Sequence, residues 1–351
     1  MHELRGGGSV REELREELRE DEYELLARLA QRYYVDERTQ EEIAHEFALS
    51  RPKVQRLLDR ARRSGVVAIH IQAPPWLRLE LESQLRETFG LTDAIVCSAR
   101  ADPLAEREAV AQRAASYLER RLHDGCVVAV SHGRAVGEVP RFFRPSSRLD
   151  VTFVSAMGGS PGVAAPTNPN EICRALAAGC GGEAVSLYAP AYVESVEIRD
   201  QLLAQEAIAQ TLDRAAQATV ALVGIGGTDD GCTMVRSGCL TTDEIAWLRS
   251  QGAVGDVLGN YVDIDGRSVA SPHQERLLAL TVDHLRRVET VVAVVSEPEK
   301  PRAILGMLRA GVIGVLVVDE GNARAVLDLA AHEPAMAGRA GDGPRPFQRE
   351  V

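Results

Sequence analysis

Residues 51–63 read RPKVQRLLDRARR, six cations against one carboxylate, in a 351-residue chain whose formal net charge is −11. Arg and Gln on an exposed helix face can hydrogen-bond base edges in the DNA major groove, Arg to guanine and Gln to adenine, each good pair discriminating by about 1–3 kcal/mol. Val54, Leu57, Leu58 and Ala61 recur as i, i+3, i+4 and i+7, which predicts the inward stripe of such a helix. The outward face then carries Pro52, Gln55, Arg56, Asp59 and Arg63, with Arg51 and Lys53 at its amino end. Gln55 and Arg56 suit bases, whereas Lys53 and Arg60 point sideways and suit phosphates. Asp59 would repel a phosphate, so it is expected to pair with Arg56 or Arg63 or to accept from a cytosine amine.

A second set of residues suits an anionic small molecule. Ser131-His132-Gly133-Arg134, Gly158-Gly159-Ser160 and Gly226-Gly227-Thr228 each follow a predicted strand. Glycines let backbone N–H groups approach an oxyanion, and a helix amino end adds about half a positive charge, so such loops suit phosphate. A single glycine pair serves a tight turn equally well; three at one sheet edge favour a site. Asn170, at the head of EICRALA, either caps that helix or reaches the ligand.

The basic helix needs elements to hold it. Apolar residues recur with helical spacing from Asp21 to Tyr34, and a capping box, Thr39 with Glu42, opens a second helix whose inner stripe is Ile43, Ala44 and Phe47. Ser50 reads as a second N-cap, Pro52 falls in the first turn of the third helix, Gly65 ends it, and VVAIHIQ at 66–72 alternates like a strand. Three short helices, a tight turn between the last two and a strand make the layout of a winged helix-turn-helix. Thr39, Gln40 and Ser50, at the helix starts, join Arg51, Lys53, Gln55, Arg56, Arg60 and Arg63 as candidate DNA contacts. A merely solvated basic helix would explain the charge but not its coincidence with caps and turn on one short unit.

Pro74-Pro75 marks a boundary. Beyond it, apolar runs near 93–98, 126–131, 151–156, 183–188, 219–225, 290–296 and 313–318 read as buried strands, separated by helical stretches at 104–122, 134–143, 170–179, 199–216, 299–310 and 320–331. Strands with little polar alternation, joined by helices, predict a Rossmann-like parallel sheet covered on both faces. The chain is therefore expected to be α/β, with a charged extension over 1–20, a helix-turn-helix domain over 21–73, an effector domain over 76–332 and a loose tail over 333–351.

Composition narrows the function classes. No apolar run reaches the roughly 18–20 residues of a membrane span, and the amino end is charged where a signal peptide would be apolar, so a cytosolic protein with no membrane partner is expected. Six cysteines lack a CxxC and read as buried reduced thiols, and no metal or cofactor site is indicated. The acidic balance counts against nucleic acid only at long range; the local distribution carries more weight.

The run TQEEIAHEFALSRPKVQRLLDRARRSGVVAIHI resembles the amino-terminal domain of the SorC family of bacterial sugar-responsive transcriptional regulators. The resemblance continues through SHGRAVGEV, MGGS, PNEICRALA, ALVGIGG, RSGCL, GAVGDVLGNYVDIDG and EKPRAILGMLRAG, over roughly residues 23–330. It implies an effector domain similar to glucosamine-6-phosphate deaminase, ribose-phosphate isomerase and CoA transferases, responsive to phosphorylated sugars or polyols. It also places the three glycine loops, Asp256 and Lys300 at the effector site, Asp256 accepting from sugar hydroxyls and Lys300 meeting the phosphate. The chain reads SHGRA at 131–135 where many relatives have SWGRT, so His132 and Ala135 bear on the ligand's identity.

The reading that follows is a ligand-controlled transcriptional regulator, with double-stranded operator DNA and a phosphorylated sugar or polyol as partners. Two helix-turn-helix units one or more helical turns apart imply a homodimer or homotetramer. The alternative is a sugar-phosphate isomerase or deaminase fused to a DNA-binding segment. It would need a positioned base, for which Asp229, Asp230, Asp256, Glu297 and His132 are available, but no spacing joins any two into an acid–base pair.

Overall fold

The computed structural model describes residues 20–68, 74, 77–160 and 167–333, which fall in two compact units divided between Gln72 and Ala73. Of the extension expected over 1–20 only Glu20 is described, and of the tail expected over 333–351 only Glu333; the rest of both lies outside the described residues.

The first unit is built from α1 (Glu20–Tyr34), α2 (Gln40–Glu46) and α3 (Arg51–Arg63). Leu29, Ile43 and Val54, one from each helix, are fully buried in a common core with Ala30, Ala44 and Leu58. The α2 start is the capping box expected: Thr39 Oγ1 accepts from Glu42 N at 3.3 Å, and Thr39 N donates to Glu42 Oε2 at 2.9 Å. Ser50 stands at the α3 N-cap but its side chain makes no capping hydrogen bond, so the Pro in the first turn and the extended backbone of Ser50 open that helix. Val54, Leu58 and Ala61 point inward, with Leu57 half-buried. In place of the strand expected at 66–72, residues 66–68 are irregular, and 69–72 lie outside the described residues.

The second unit runs α4 (Leu79–Phe89), β1 (Asp93–Cys97), α5 (Pro103–Arg121), β2 (Val127–Val130), α6 (Arg134–Phe142), β3 (Thr152–Ser155), α7 (Pro169–Cys180) and β4 (Glu183–Val185). It continues with α8 (Val196–Leu203), α9 (Glu206–Ala216), β5 (Val220–Val223), β6 (Gly226–Gly227), α10 (Thr233–Arg236), α11 (Thr242–Ser250), β7 (Gly255–Val257) and β8 (Asn260–Val262). The last elements are α12 (Val282–Leu285), β9 (Thr290–Val295), α13 (Pro301–Arg309), β10 (Val315–Asp319) and α14 (Glu320–His332). Seven strands form one parallel sheet in the order β1-β10-β9-β5-β2-β3-β4, at the seven positions the apolar runs predicted. All six residues of β9, TVVAVV, are buried, as a central strand covered by helices on both faces requires.

The second unit differs from the sequence reading in three places. The helix expected at 199–216 is two, α8 and α9, because Ala204 ends the first and Gln205 takes an extended conformation. Helices α4, α10, α11 and α12 were not among the elements expected. Nor was the small antiparallel sheet β6-β7-β8, whose strands of two or three residues are too short to show a period.

Strand order fixes where a ligand can sit. From β2 the chain steps to β3 and β4 on one side, then returns to place β5 against the other edge of β2. The crossovers leave β2 and β5 in opposite directions, which opens a crevice beyond their carboxyl ends. Into it project the turn after β2, the segment after β5 and the end of β9. The small sheet beside it is pinned by Asn260, fully buried: its Nδ2 donates to Val257 O at 3.0 Å and Leu280 O at 2.9 Å, and its Oδ1 accepts from Gln274 Nε2 at 3.1 Å.

Removing that amide leaves buried carbonyls without donors. Asn260→Ala is expected to lower unfolding stability by about 2–3 kcal/mol in urea titrations. A loss within experimental error would show that the hairpin is held by other means.

Candidate functional sites

The crevice beyond β2, β5 and β9 is a pocket whose polar wall is His132, Arg134, Asp256, Glu297 and Lys300 and whose floor is Gly133, Gly224, Gly226 and Gly227. Two helices of nine residues, α6 and α13, begin at it, so unpaired amide groups and the positive ends of two helix dipoles face the same space. Lys300, at the α13 N-cap, is buried, and its Nζ donates to Ile225 O at 3.0 Å. An ammonium held by one neutral carbonyl retains donors for an anion.

Asp256 faces this cation. Its Oδ2 accepts from Gly259 N at 2.8 Å, and its Oδ1 lies directly over Gly226, where a Cβ would stand 1.8 Å from it. Only glycine fits at 226. Burial raises the Asp256 pKa to about 6, against the Gly259 amide and the Lys300 charge. His132, beside the Met157 sulfur, is held neutral: burial lowers its pKa to about 4, and Lys300 acts in the same direction.

Glu297 was foreseen only as a base for the enzyme alternative, and its place here is different. Its Oε1 lies 3.2 Å from Arg107 Nε and 3.4 Å from Arg134 Nε, and its backbone φ of 122° lies in a region that non-glycine residues rarely adopt. Its carbonyl accepts from Asn322 Nδ2 at 2.9 Å, which holds the turn. Burial raises its pKa, with Lys300, Arg134 and Arg107 opposing. Arg134 Nε is buried and, despite this proximity, makes no aligned hydrogen bond among the described residues. The only sequence signal for Glu297 was a carboxylate directly after an apolar strand.

Of the effector candidates, His132, Gly133, Arg134, Gly226, Gly227, Asp256 and Lys300 line this pocket, and five do not. Ser131 Oγ donates to His132 O at 2.8 Å and accepts from Gly224 N at 3.0 Å, tying the ends of β2 and β5 together. The Gly158 and Gly159 amides are taken by Leu278 O and Ala189 O, at 2.9 and 2.8 Å, so that loop is a backbone junction with neither N–H free for an oxyanion. Asn170 is neither cap nor pocket residue: Asn168 caps α7, while the Asn170 side chain exchanges hydrogen bonds with the Leu187 backbone. Gly226-Gly227 is a strand paired with β7, and Thr228 Oγ1 donates to Ala253 O at 3.4 Å. Gly224, Thr233 and Met234 also line the pocket and were not foreseen.

In the first unit, the amino ends of α2 and α3 meet at an open groove lined by Gln40, Arg51, Pro52, Gln55 and Arg56. Lys53 and Arg63 are exposed, and Arg56 Nε donates to Pro52 O at 3.4 Å. Arg60 is paired with Glu22 rather than free to the side, and the Thr39 hydroxyl is engaged in the capping box. Asp59 has no ion pair among the described residues, contrary to the pairing expected with Arg56 or Arg63. Five of the six cysteines are buried, Cys239 partly so, and none is in a disulfide; burial pushes the Cys97 thiol up to about 12. No helix among the described residues is long and apolar enough to cross a membrane.

Comparison with known proteins gives a consistent result. Residues 74–328 match the Sugar-bind family of sugar-binding domains. The chain is 34% identical over 317 residues to the transcriptional regulator LsrR of Klebsiella pneumoniae, covering 88% of this chain and 94% of that one. The full-length sorbitol operon regulator SorC of Klebsiella pneumoniae superposes with a TM-score of 0.68 at 28% identity, covering 88% of this chain and 99% of that one. The sugar-binding domain of a Vibrio fischeri transcriptional repressor does so with a TM-score of 0.67 at 36% identity, over 72% of this chain and 99% of that one.

The two shifted groups in the pocket make a pH prediction. Between about pH 4 and 6 the folded state lacks a proton on His132 that the unfolded chain carries, so acid destabilises it; it holds a proton on Asp256 that the unfolded chain has lost, so acid stabilises it. The two slopes, each about 1.4 kcal/mol per pH unit, oppose one another. Asp256→Asn removes one of them. Its stability should fall more steeply with acid than that of the parent across this range, in denaturant titrations at several pH values, and parallel profiles would remove Asp256 from the account.

Proposed function

The chain belongs to the SorC family of sugar-binding transcriptional regulators, and we propose that it binds operator DNA through α2 and α3 and is controlled by a phosphorylated sugar or polyol held in the crevice of its α/β unit. The observation that carries the effector reading is the buried Lys300 ammonium, which shares a pocket with Arg134, two helix amino ends and a glycine floor. Such a set is adapted to a phosphate dianion. Asp256, across from it, accepts hydroxyls.

Residues 21–73 act as a helix-turn-helix domain in this reading, with α3 entering the major groove. Gln55 and Arg56 meet bases; Gln40, Ser50, Arg51, Lys53 and Arg63 meet bases or phosphates, and Arg60 joins them on release from Glu22. Residues 76–332 form the effector domain, on the same layout as glucosamine-6-phosphate deaminase, ribose-phosphate isomerase and CoA transferases. The protein acts in the cytoplasm as a homodimer or homotetramer, because paired half-sites require paired readers. Effector binding shifts operator affinity by roughly 5–150-fold, the range of a coupling of about 1–3 kcal/mol.

Two substitutions separate the halves of this reading. Lys300→Ala should leave operator affinity in gel-shift titrations intact and abolish its response to sugar phosphates; a normal response would move the phosphate elsewhere. Arg56→Ala should weaken operator binding by about 1–3 kcal/mol and relax specificity at one base position, and unchanged affinity for the operator would discard the recognition face.

A further inference from the structure

One wall of the pocket already carries an anion of its own. Glu297 Oε1 lies 3.2 Å from Arg107 Nε and 3.4 Å from Arg134 Nε, so an anion entering the crevice meets cations that are partly taken and a like charge beside them. Only the Arg107 contact is an aligned hydrogen bond. The buried Arg134 Nε makes none among the described residues, which leaves its N–H to a better-placed oxyanion. Glu297 is also strained, with a φ of 122° that residues bearing a Cβ rarely adopt. A strained group held by partners that a ligand would draw off has two arrangements to choose between.

What restrains that backbone leads away from the pocket. Asn322 Nδ2 donates to Glu297 O at 2.9 Å and to Asp319 Oδ2 at 2.5 Å, while Asn322 Oδ1 has no partner among the described residues; one NH2 group therefore joins the turn to the amino end of α14. Asp319 caps that helix by accepting from Asn322 N at 2.8 Å, and it is paired in the sheet with Cys97 of β1, to which Leu77 is bridged. Glu320, the first residue of α14, holds Arg78 Nε at 2.7 Å through Oε2 and Arg324 through Oε1. Leu77 and Arg78 lie just past the boundary at Ala73, in the segment by which the chain enters the second unit. Glu297, Asp319 and Asn322 are all buried, so a partner lost to any of them is not replaced by bulk water.

We propose that Glu297 is the chain's own counter-anion and the switch of this site. An anion that takes Arg134 from it lets the strained turn relax, which withdraws Glu297 O from Asn322, loosens the amino end of α14 and frees Arg78 from Glu320. The inference rests on the effector reading above and adds how occupancy of the pocket is passed out of it. On release Glu320 keeps Arg324, so neither arrangement strands that carboxylate. Coupling of this kind is reciprocal: whatever loosens the Arg78 clasp must in turn favour the anion.

The test uses the full chain with inorganic phosphate as the anion, its binding read from thermal melts and its consequences from hydrogen exchange. The amides of Leu77 and Asn322, which donate to Pro74 O at 2.9 Å and to Asp319 Oδ1 at 2.8 Å, report on the two sides of the clasp. Phosphate should speed exchange at both by about fivefold or more, and Lys300→Ala should abolish that response. Glu297→Gln should bind phosphate about tenfold more tightly, since a like charge has been removed. Arg78→Gln, outside the pocket, should tighten phosphate binding about fivefold, which the loss of a merely structural ion pair would not do. Lys300-dependent phosphate binding with exchange at Leu77 and Asn322 unchanged would overturn the switch and spare the effector reading, and so would an Arg78→Gln chain with the parent's phosphate affinity. A parent and a Glu297→Gln variant both indifferent to phosphate would overturn the effector reading and this inference with it.

Discussion

Charge held out of water at the crossing of β2 and β5 is the constraint on which the larger unit turns. Lys300, Arg134, Asp256 and Glu297 lie at one pocket, where an isolated ion would be penalised by several kcal/mol. They persist there because each faces an opposite charge or a fixed dipole. Lys300 has Ile225 O and the Asp256 field, Asp256 has the Gly259 amide, and Glu297 has two guanidinium groups. The set is close to neutral as it stands, so an incoming anion upsets a balance. That is the property a site needs if its occupation is to alter the rest of a protein.

The elements around the pocket serve that balance. Ser131 joins the ends of β2 and β5, Asn260 fixes the hairpin that carries Asp256, and Asn322 fixes the turn that carries Glu297. None of these three touches the pocket space, yet each sets the position of a group that does. Backbone strain at Glu297 is tolerated because Asn322 and two arginines hold the residue from different directions.

The smaller unit obeys a different logic. Its core is built from buried aliphatic side chains of three helices, and its cations are carried on the opposite face of α3. An acidic protein can present such a face because electrostatics at contact distance follow local charge, whereas the net charge is screened beyond about 10 Å. Arg60 shows the limit of reading charge from sequence, since its partner Glu22 stands on another helix.

Periodicity and capping determined a large share of this protein by themselves. The seven apolar runs became the seven parallel strands, and the Thr39 capping box and the inward stripe of α3 are where their spacing put them, because these features depend on residues within one or two turns of each other. Elements without a period escaped: the three short strands of the small sheet, and α11, although its Thr241 and Glu244 capping box was visible in the chain. Tertiary structure alone decided which strands are neighbours and therefore where the crevice opens. It also decided which glycine loops face it, turning 158–159 into a backbone junction and leaving Gly133 and Gly226 at the pocket. Glu297 and Arg107, 190 residues apart, meet only through the sheet order. Local hydrogen bonds and side-chain period are written in adjacent residues, whereas a buried charge finds its partner through the whole fold.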